Sequence, residues 1–187
     1  LEKKMTSLPW ELYLKKNCRF TVSVSTTHSK LYHQEAIRER AEAWIRERLE
    51  SHGELKSESG AEQLVHIRAV DDRFVVSIDS SGELLFKRGI KTHGGTAPVR
   101  ETIASGLLSL SGFQENTLLY DPMCGSGTFA LEAAMIKSRI PAGWFRKFAF
   151  MEWPCFRSQR WNYIKKQLEN NIHVPGKCSI FSWDINQ

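Results

Sequence analysis

The sequence predicts an α/β chain in two parts: an α+β layer over residues 1–93, then the opening of a doubly wound parallel sheet over residues 94–187. Three observations lead there. Residues 19–79 read strand, helix, strand, strand. From residue 117 the order is strand, glycine-rich turn, helix, long loop, helix, strand. Between the halves stands the strongest breaker in the chain, Gly94-Gly95. A strand–helix–strand unit with so long a crossover requires parallel strands. Two parallel strands cannot bury themselves, so further strands are expected beyond Gln187. The chain, which opens at Leu1, reads as a fragment whose first part is incomplete at its N-terminus.

In the first half, Phe20, Val22 and Val24 alternate with Arg19, Thr21 and Ser23, the period-two pattern of a half-buried strand. From His33 to Glu50, Ile37, Ala41, Trp44, Ile45 and Leu49 recur at helical spacing. The opposite face is a lattice of Arg and Glu, and Gly53 is the expected terminator. Gln63–Val70 and Arg73–Asp79 form a hairpin through Asp71-Asp72, with Val65, Ile67 and Ala69 sharing one face and Phe74, Val76 and Ile78 another. In the second half Thr96 caps a helix with Pro98 in its first turn, and Val99, Ile103, Leu107 and Leu110 are its expected buried stripe. A strand over Thr117–Tyr120, a helix over Thr128–Ser138, a helix near Arg157–Asn171 and a strand over Cys178–Trp183 complete the pattern.

Composition narrows the function classes. With 187 residues, 41% hydrophobic and 25% charged, the chain is ordinary globular protein with enough apolar mass for a core. No run approaches the ~18–20 apolar residues of a membrane span. Cys18, Cys124, Cys155 and Cys178 lack paired spacing, so a cytoplasmic protein with reduced thiols is expected. The six histidines do not cluster, and no metal is expected. A net charge of +5 permits an anionic partner such as nucleic acid without requiring one.

The chemistry concentrates in Asp121-Pro122-Met123-Cys124-Gly125-Ser126-Gly127-Thr128, which ends a strand and opens a helix. Gly125 and Gly127 permit a tight turn and a close approach of backbone to ligand. Asp121 would repel a pyrophosphate, which argues against a nicotinamide-dependent oxidoreductase. It suits a ligand with a cationic amino-acid end, such as S-adenosylmethionine. Asp184 ends the next strand, where a carboxylate can hold ribose hydroxyls. It lies 57 residues beyond Gly127, so an insertion must loop out between them.

That octapeptide, the preceding GTAPVRETIASGLL and the following EAAMIKSRIPAGWFRKFAFMEWPCF closely resemble the THUMP-domain RNA methyltransferases of the bacterial large-subunit rRNA guanine-N2 methylase type. Members of that family were often first described as adenine-specific DNA methylases. The resemblance is strong over residues 85–187 and looser over residues 1–84, which look like most of a THUMP domain; the second half then resembles the N-terminal part of a Rossmann-like methyltransferase sheet. It implies S-adenosylmethionine as cofactor and rRNA as partner. It also implies that Pro98 sits beside the methionine end, that Asp121, Pro122, Gly125 and Gly127 line the amino-acid moiety, that the Thr128 N–H faces the carboxylate, and that Asp184 holds the ribose. Cys124 becomes a packing residue of the turn rather than a nucleophile.

One departure stands out. Methylases of exocyclic amines carry an Asn/Asp-Pro-Pro-Tyr loop after the fourth strand, and this sequence has none; Asp121-Pro122 and Trp153-Pro154 lack the second proline and the tyrosine. No catalytic residue is therefore assigned, and the chain alone is expected to be inactive. Adenine-N6 methylation of RNA or DNA, or a non-catalytic RNA-binding module, are the competing readings. Between Lys137 and Lys166, eight Lys/Arg are interleaved with eight aromatic rings and one acid, Glu152. Such a mixture suits looped RNA, although most of the rings are expected to fill a core. Lys87, Arg88, Lys91 and Arg100 are candidates to meet a phosphate at the cofactor entrance.

Overall fold

The structure, a computed structural model, describes residues 1–51, 62–91, 98–176 and 179–185. The chain divides into two compact units, one of residues 1–83 with 148–157, the other of residues 84–147 with 158–187. The expected terminator Gly53, the Gly94-Gly95 breaker, the Thr96 cap and Cys178 lie outside the described residues.

In the first unit β1 (Phe20–Thr27), β2 (Gln63–Val70) and β3 (Arg73–Ile78) form one sheet in that order. β1 runs parallel to β2, with Phe20 opposite Gln63, and β3 returns antiparallel, with Val65 opposite Ile78. Asp71 and Asp72 make the return with φ of 48° and 60°. Two successive left-handed residues match the twist of a tight hairpin, and Asp tolerates that conformation better than most residues. α2 (Gln34–Glu50) lies on the sheet through Ile37, Ala41, Ile45 and Leu49, all buried against Val22, Val65 and Ile67. Its Arg/Glu face stays in water, as the periodicity predicts.

A short helix α1 (Glu2–Ser7) and a 3₁₀ turn at Trp10–Leu12 have no periodic signature in the sequence, yet Met5, Trp10 and Leu14 are core residues. The Trp10 indole N–H is satisfied by the Met5 carbonyl at 2.7 Å. Residues 148–157 of the aromatic loop belong to this unit. Trp153 packs edge-on to Tyr13 at 5.1 Å and donates its indole N–H to Gln63 Oε1 at 2.9 Å, while Phe150 packs against Phe148 and Phe156. The Phe150 N–H reaches the Ser80 carbonyl and the Cys155 N–H that of Leu12.

In the second unit β4 (Leu119–Asp121) pairs parallel with β5 (Ile180–Ser182), as the crossover length requires. α3 (Glu101–Leu110) and α4 (Thr128–Lys137) pack together, with Leu108, Phe113 and Ala133 at the centre and Leu119, Phe129, Ile136 and Ile180 around them. α5 (Ser158–Glu169) buries no residue fully. The expected stripe of α3 is corrected. Glu101, Ala104 and Leu108 face inward, whereas Val99, Ile103, Leu107 and Leu110 are exposed. The helix also starts later than expected, leaving Pro98 ahead of it rather than in its first turn. The inward face holds because Ala104 and Leu108 are buried apolar residues and Glu101 arrives with a cationic partner, described below.

The rings of the aromatic loop are split. Trp144, Phe148, Phe150, Trp153, Phe156 and Trp161 are half-buried, while Phe145 and Tyr163 are exposed. Several cations there are internal. Lys137 is 2% exposed and donates to the carbonyls of Glu115 and Thr117, and Arg146 donates to those of Leu84 and Lys87. Among the described residues no helix is long and apolar enough to cross a membrane.

Two outcomes test this packing. Ile67→Ala, on the central strand and 1% exposed, should cost about 2–5 kcal/mol in urea unfolding. Val75→Ala, at an exposed position of β3, should stay within about 0.5 kcal/mol. Burial pushes the Cys18 thiol above its ordinary range, only partly countered by backbone hydrogen bonds, whereas Cys155 is exposed. Iodoacetamide followed by peptide mass spectrometry should therefore mark Cys155 in the native protein and Cys18 only after unfolding.

Candidate cofactor-binding site

The turn from Asp121 to Thr128 is built by its two glycines. Gly125 has φ of 50° and Gly127 has φ of 70°, the left-handed region that other residues enter only at a cost. A Cβ added at either would meet nothing within 4 Å among the described residues, so the space above the turn is open to them. The Gly127 N–H closes on the Cys124 carbonyl at 2.8 Å, and α4 starts at the next residue. A helix start leaves backbone N–H groups without intrahelical partners, aimed at whatever occupies that space.

Two strand ends converge on this turn. The parallel pairing of β4 with β5 continues past the strands, with Trp183 N–H donating to the Asp121 carbonyl and Cys124 N–H to the Trp183 carbonyl, both at 3.1 Å. That register carries Asp184 to the glycine turn, where its Oδ2 accepts the Gly125 N–H at 2.9 Å. Asp121 and Asp184, distant in sequence, therefore share one locus with Gly125 and Gly127. Asp121 Oδ2 is buried and has no hydrogen-bond partner among the described residues. An acceptor left without a donor in such a place is expensive unless a ligand completes it.

The other expected residues are placed less centrally. Thr128 is buried at the first position of α4. Pro122 is exposed in the turn, and Pro98 is exposed ahead of α3. A cation to which spacing gave no such part makes contact with the turn instead. Lys91 Nζ donates to Ser126 Oγ at 3.2 Å and to Thr128 Oγ1, and lies 3.4 Å from Glu101 Oε1. Nearby, Arg88 grips Glu132 of α4 with two hydrogen bonds of 2.8 and 3.2 Å, and the carboxylate side chain is 4% exposed. The phosphate-facing expectation is thereby corrected for Arg88 and Lys91, whose charges are spent on internal carboxylates. Arg100 lies over the Phe86 ring at 5.5 Å. Gly89 holds the segment between Leu84 and Lys91 close to the loop, since a Cβ there would come within 2.7 Å of the Phe145 carbonyl oxygen. Only a search for complementary buried charges across the chain could have found Glu101 and Glu132, because neither stands at a diagnostic spacing from its partner. Among the described residues no group of three or more His, Cys, Asp or Glu could hold a metal ion.

Comparison with known proteins shows what the chain is similar to. A family model described as "RMKL-like, methyltransferase domain" matches residues 88–187. The chain is 32% identical over its whole length to "Putative RNA methyltransferase YpsC" of Bacillus subtilis (strain 168), of which it covers 49%. It is 32% identical, over 86% of its length, to a "Ribosomal RNA large subunit methyltransferase K/L" of Psychromonas ingrahamii, covering 22% of that protein. It is 36% identical, over 66% of its length, to a "tRNA (guanine(6)-N2)-methyltransferase" of Methanocaldococcus jannaschii, covering 32% of it. Among solved structures, "SMU.472, a putative methyltransferase complexed with SAH" superposes with a TM-score of 0.82 at 31% identity over 99% of this chain and 50% of that one. The chain thus spans about half the length, or less, of the relatives it matches.

The ion pair and the turn make separable predictions. Arg88→Ala strands the buried Glu132 carboxylate and should cost about 3–5 kcal/mol in chemical denaturation, a loss that Arg88→Met with Glu132→Leu should largely restore. Gly127→Ala meets no steric obstacle, so its cost should be backbone strain alone, about 1–2 kcal/mol by the same measurement.

Proposed function

The chain belongs to the RMKL-like methyltransferase-domain family, and on that premise we propose that its protein is an S-adenosylmethionine-dependent RNA methyltransferase acting on the exocyclic amine of a guanine in large-subunit rRNA. The observation that carries the cofactor assignment is the buried, partnerless Oδ2 of Asp121 beside an open glycine turn. That oxygen fits the ammonium of the methionine end, which a phosphate-bearing cofactor lacks there. The α4 start fits its carboxylate, and Asp184, held at the same turn, fits the ribose hydroxyls. Pro98, Pro122 and Thr128 would line the remainder. The related methyltransferase was solved as a complex with SAH, the form such a cofactor takes after losing its methyl group.

S-adenosylmethionine, when bound, supplies an electrophilic methyl for in-line attack by the amine. The chain's own residues orient it: Asp121 fixes the amino-acid end, the glycines admit it closely, and Asp184 sets the nucleoside end. Orientation of this kind accounts for much of the rate in such transfers. The guanine assignment rests on the names of relatives that act on rRNA and on guanine-N2 of tRNA. The first unit, a sheet with α2 on one face, is read as a THUMP-like module that docks RNA by shape, the base being turned out of its stack toward the glycine turn. No Asn/Asp-Pro-Pro-Tyr occurs in the sequence, so residues 1–187 are expected to bind cofactor without methylating. A cytoplasmic protein fits such a substrate.

Calorimetric titration with S-adenosylmethionine tests the site. Asp121→Asn keeps the shape but removes the charge and should weaken binding about 10- to 100-fold, the worth of one charge-assisted hydrogen bond. Binding unchanged in Asp121→Asn and Asp184→Ala alike would sink the assignment. For the reaction, protein from the complete reading frame is incubated with radiolabelled cofactor and unmodified rRNA, and the product digested to nucleosides. Label in 2-methylguanine is expected; label in 6-methyladenine would move the target base, and no cofactor binding would leave only an RNA-binding module.

A further inference from the structure

We propose that Lys91 is a positioning residue for the carboxylate end of the cofactor, acting through the hydroxyls of Ser126 and Thr128; this rests on the reading of the turn as the cofactor site. The argument is one of proton counting. An ammonium carries three donors and no acceptor, and a hydroxyl carries one donor. Among the described residues Lys91 Nζ has three acceptors around it: Ser126 Oγ at 3.2 Å, Thr128 Oγ1, and Glu101 Oε1 at 3.4 Å. Both hydroxyl oxygens are therefore receiving a proton from the lysine, and neither hydroxyl can point its own proton back toward Nζ.

Ser126 Oγ and Thr128 Oγ1 lie 3.4 Å apart, so one hydroxyl proton can be shared between them. The second must point out of the cluster. Thr128 is buried and Ser126 half-buried, which makes Ser126 the hydroxyl that faces outward, beside the unpaired N–H groups at the start of α4. Lys91 thus converts a group that could either give or accept a hydrogen bond into a committed donor. The turn acquires two ends of opposite sense: an orphaned carboxylate oxygen at Asp121, and a donor array at Ser126–Thr128. A zwitterionic amino acid, ammonium toward one end and carboxylate toward the other, matches that polarity.

Glu101 completes the device. Its side chain is 12% exposed and that of Lys91 is 16% exposed, so neither charge would be tolerable here without the other. Glu101 also keeps the lysine from being answered by the ligand directly, since it takes the third proton. The lysine acts at one remove, by aligning hydroxyls.

The test compares ligands with and without the amino-acid end, using the complete protein and isothermal titration. S-adenosylmethionine and S-adenosylhomocysteine carry the carboxylate; 5′-methylthioadenosine does not. Lys91→Met should weaken the first two about tenfold and leave methylthioadenosine unchanged. Ser126→Ala, which threatens no buried charge, should reproduce that pattern even if Lys91→Met proves too unstable to study. The double variant should lose no more than Lys91→Met alone, because the two act on one contact. Wild-type binding of all three ligands with Lys91→Met and Ser126→Ala unaffected would overturn the proposal while leaving the cofactor site standing. Equal losses for methylthioadenosine would overturn it too, by marking the lysine as a general prop of the fold. If the wild-type protein binds none of the three, the reading of the turn fails and takes this inference with it.

Discussion

The hydrogen bond from the Gly125 N–H to Asp184 joins residues 59 apart in sequence, and the second unit is organised so that it can form. It needs β4 and β5 in parallel register, because only then do two strands deliver their C-terminal ends to the same edge. The parallel register in turn needs the crossover through α4, the aromatic loop and α5. It also involves Gly125 at a φ of 50°, a conformation that glycine adopts without the cost a side chain would bring. Each acid at this edge follows from the register and not from local sequence. Asp121 ends one strand and Asp184 follows the other, so a one-residue slip would remove one of them from the turn.

A second constraint is electrostatic. The segment leading from Leu84 to Lys91 has no helix or strand of its own, yet it is fastened to the helices of the second unit by two internal ion pairs, Arg88 with Glu132 and Lys91 with Glu101. Such pairs contribute little net stability, since desolvating the charges offsets most of their attraction. Their effect is on uniqueness: an irregular segment with two largely covered cations settles best where two buried carboxylates wait. The close approach at Gly89 adds a steric condition to the same placement.

These features divide what the sequence makes visible from what it hides. Ile37, Ala41, Ile45 and Leu49 could be read because one helix face carries nearly all the apolar residues and the other nearly all the charge. The Asp71-Asp72 return was readable because its residues have a conformational preference of their own. The turn from Asp121 to Thr128 was readable for the same reason, and Asp184 because a parallel strand had to end there. α3 departs from its sequence pattern because its more apolar stripe is not its buried one. Glu101 goes inward only in the company of Lys91, a pairing made by tertiary placement and without trace in helical periodicity. Lys137 and Arg146 mislead similarly: both belong to a basic, aromatic stretch, and both are turned inward onto backbone carbonyls. Met5 and Trp10 were invisible because a helix of six residues is too short to show a period.

The discontinuity of the first unit bears on the order in which the protein is made. Its sheet and α2 are complete by Ile78, but Phe150, Trp153 and Phe156 belong to the same unit and leave the ribosome some seventy to eighty residues later. Until they emerge, Gln63, which is 3% exposed in the finished fold, lacks the Trp153 indole that it accepts from. By then β4, the glycine turn and α4 have already been synthesised. The two units therefore cannot mature strictly in sequence, one after the other. The first closes only after the second has begun, and translation itself links the completion of one to the presence of the other.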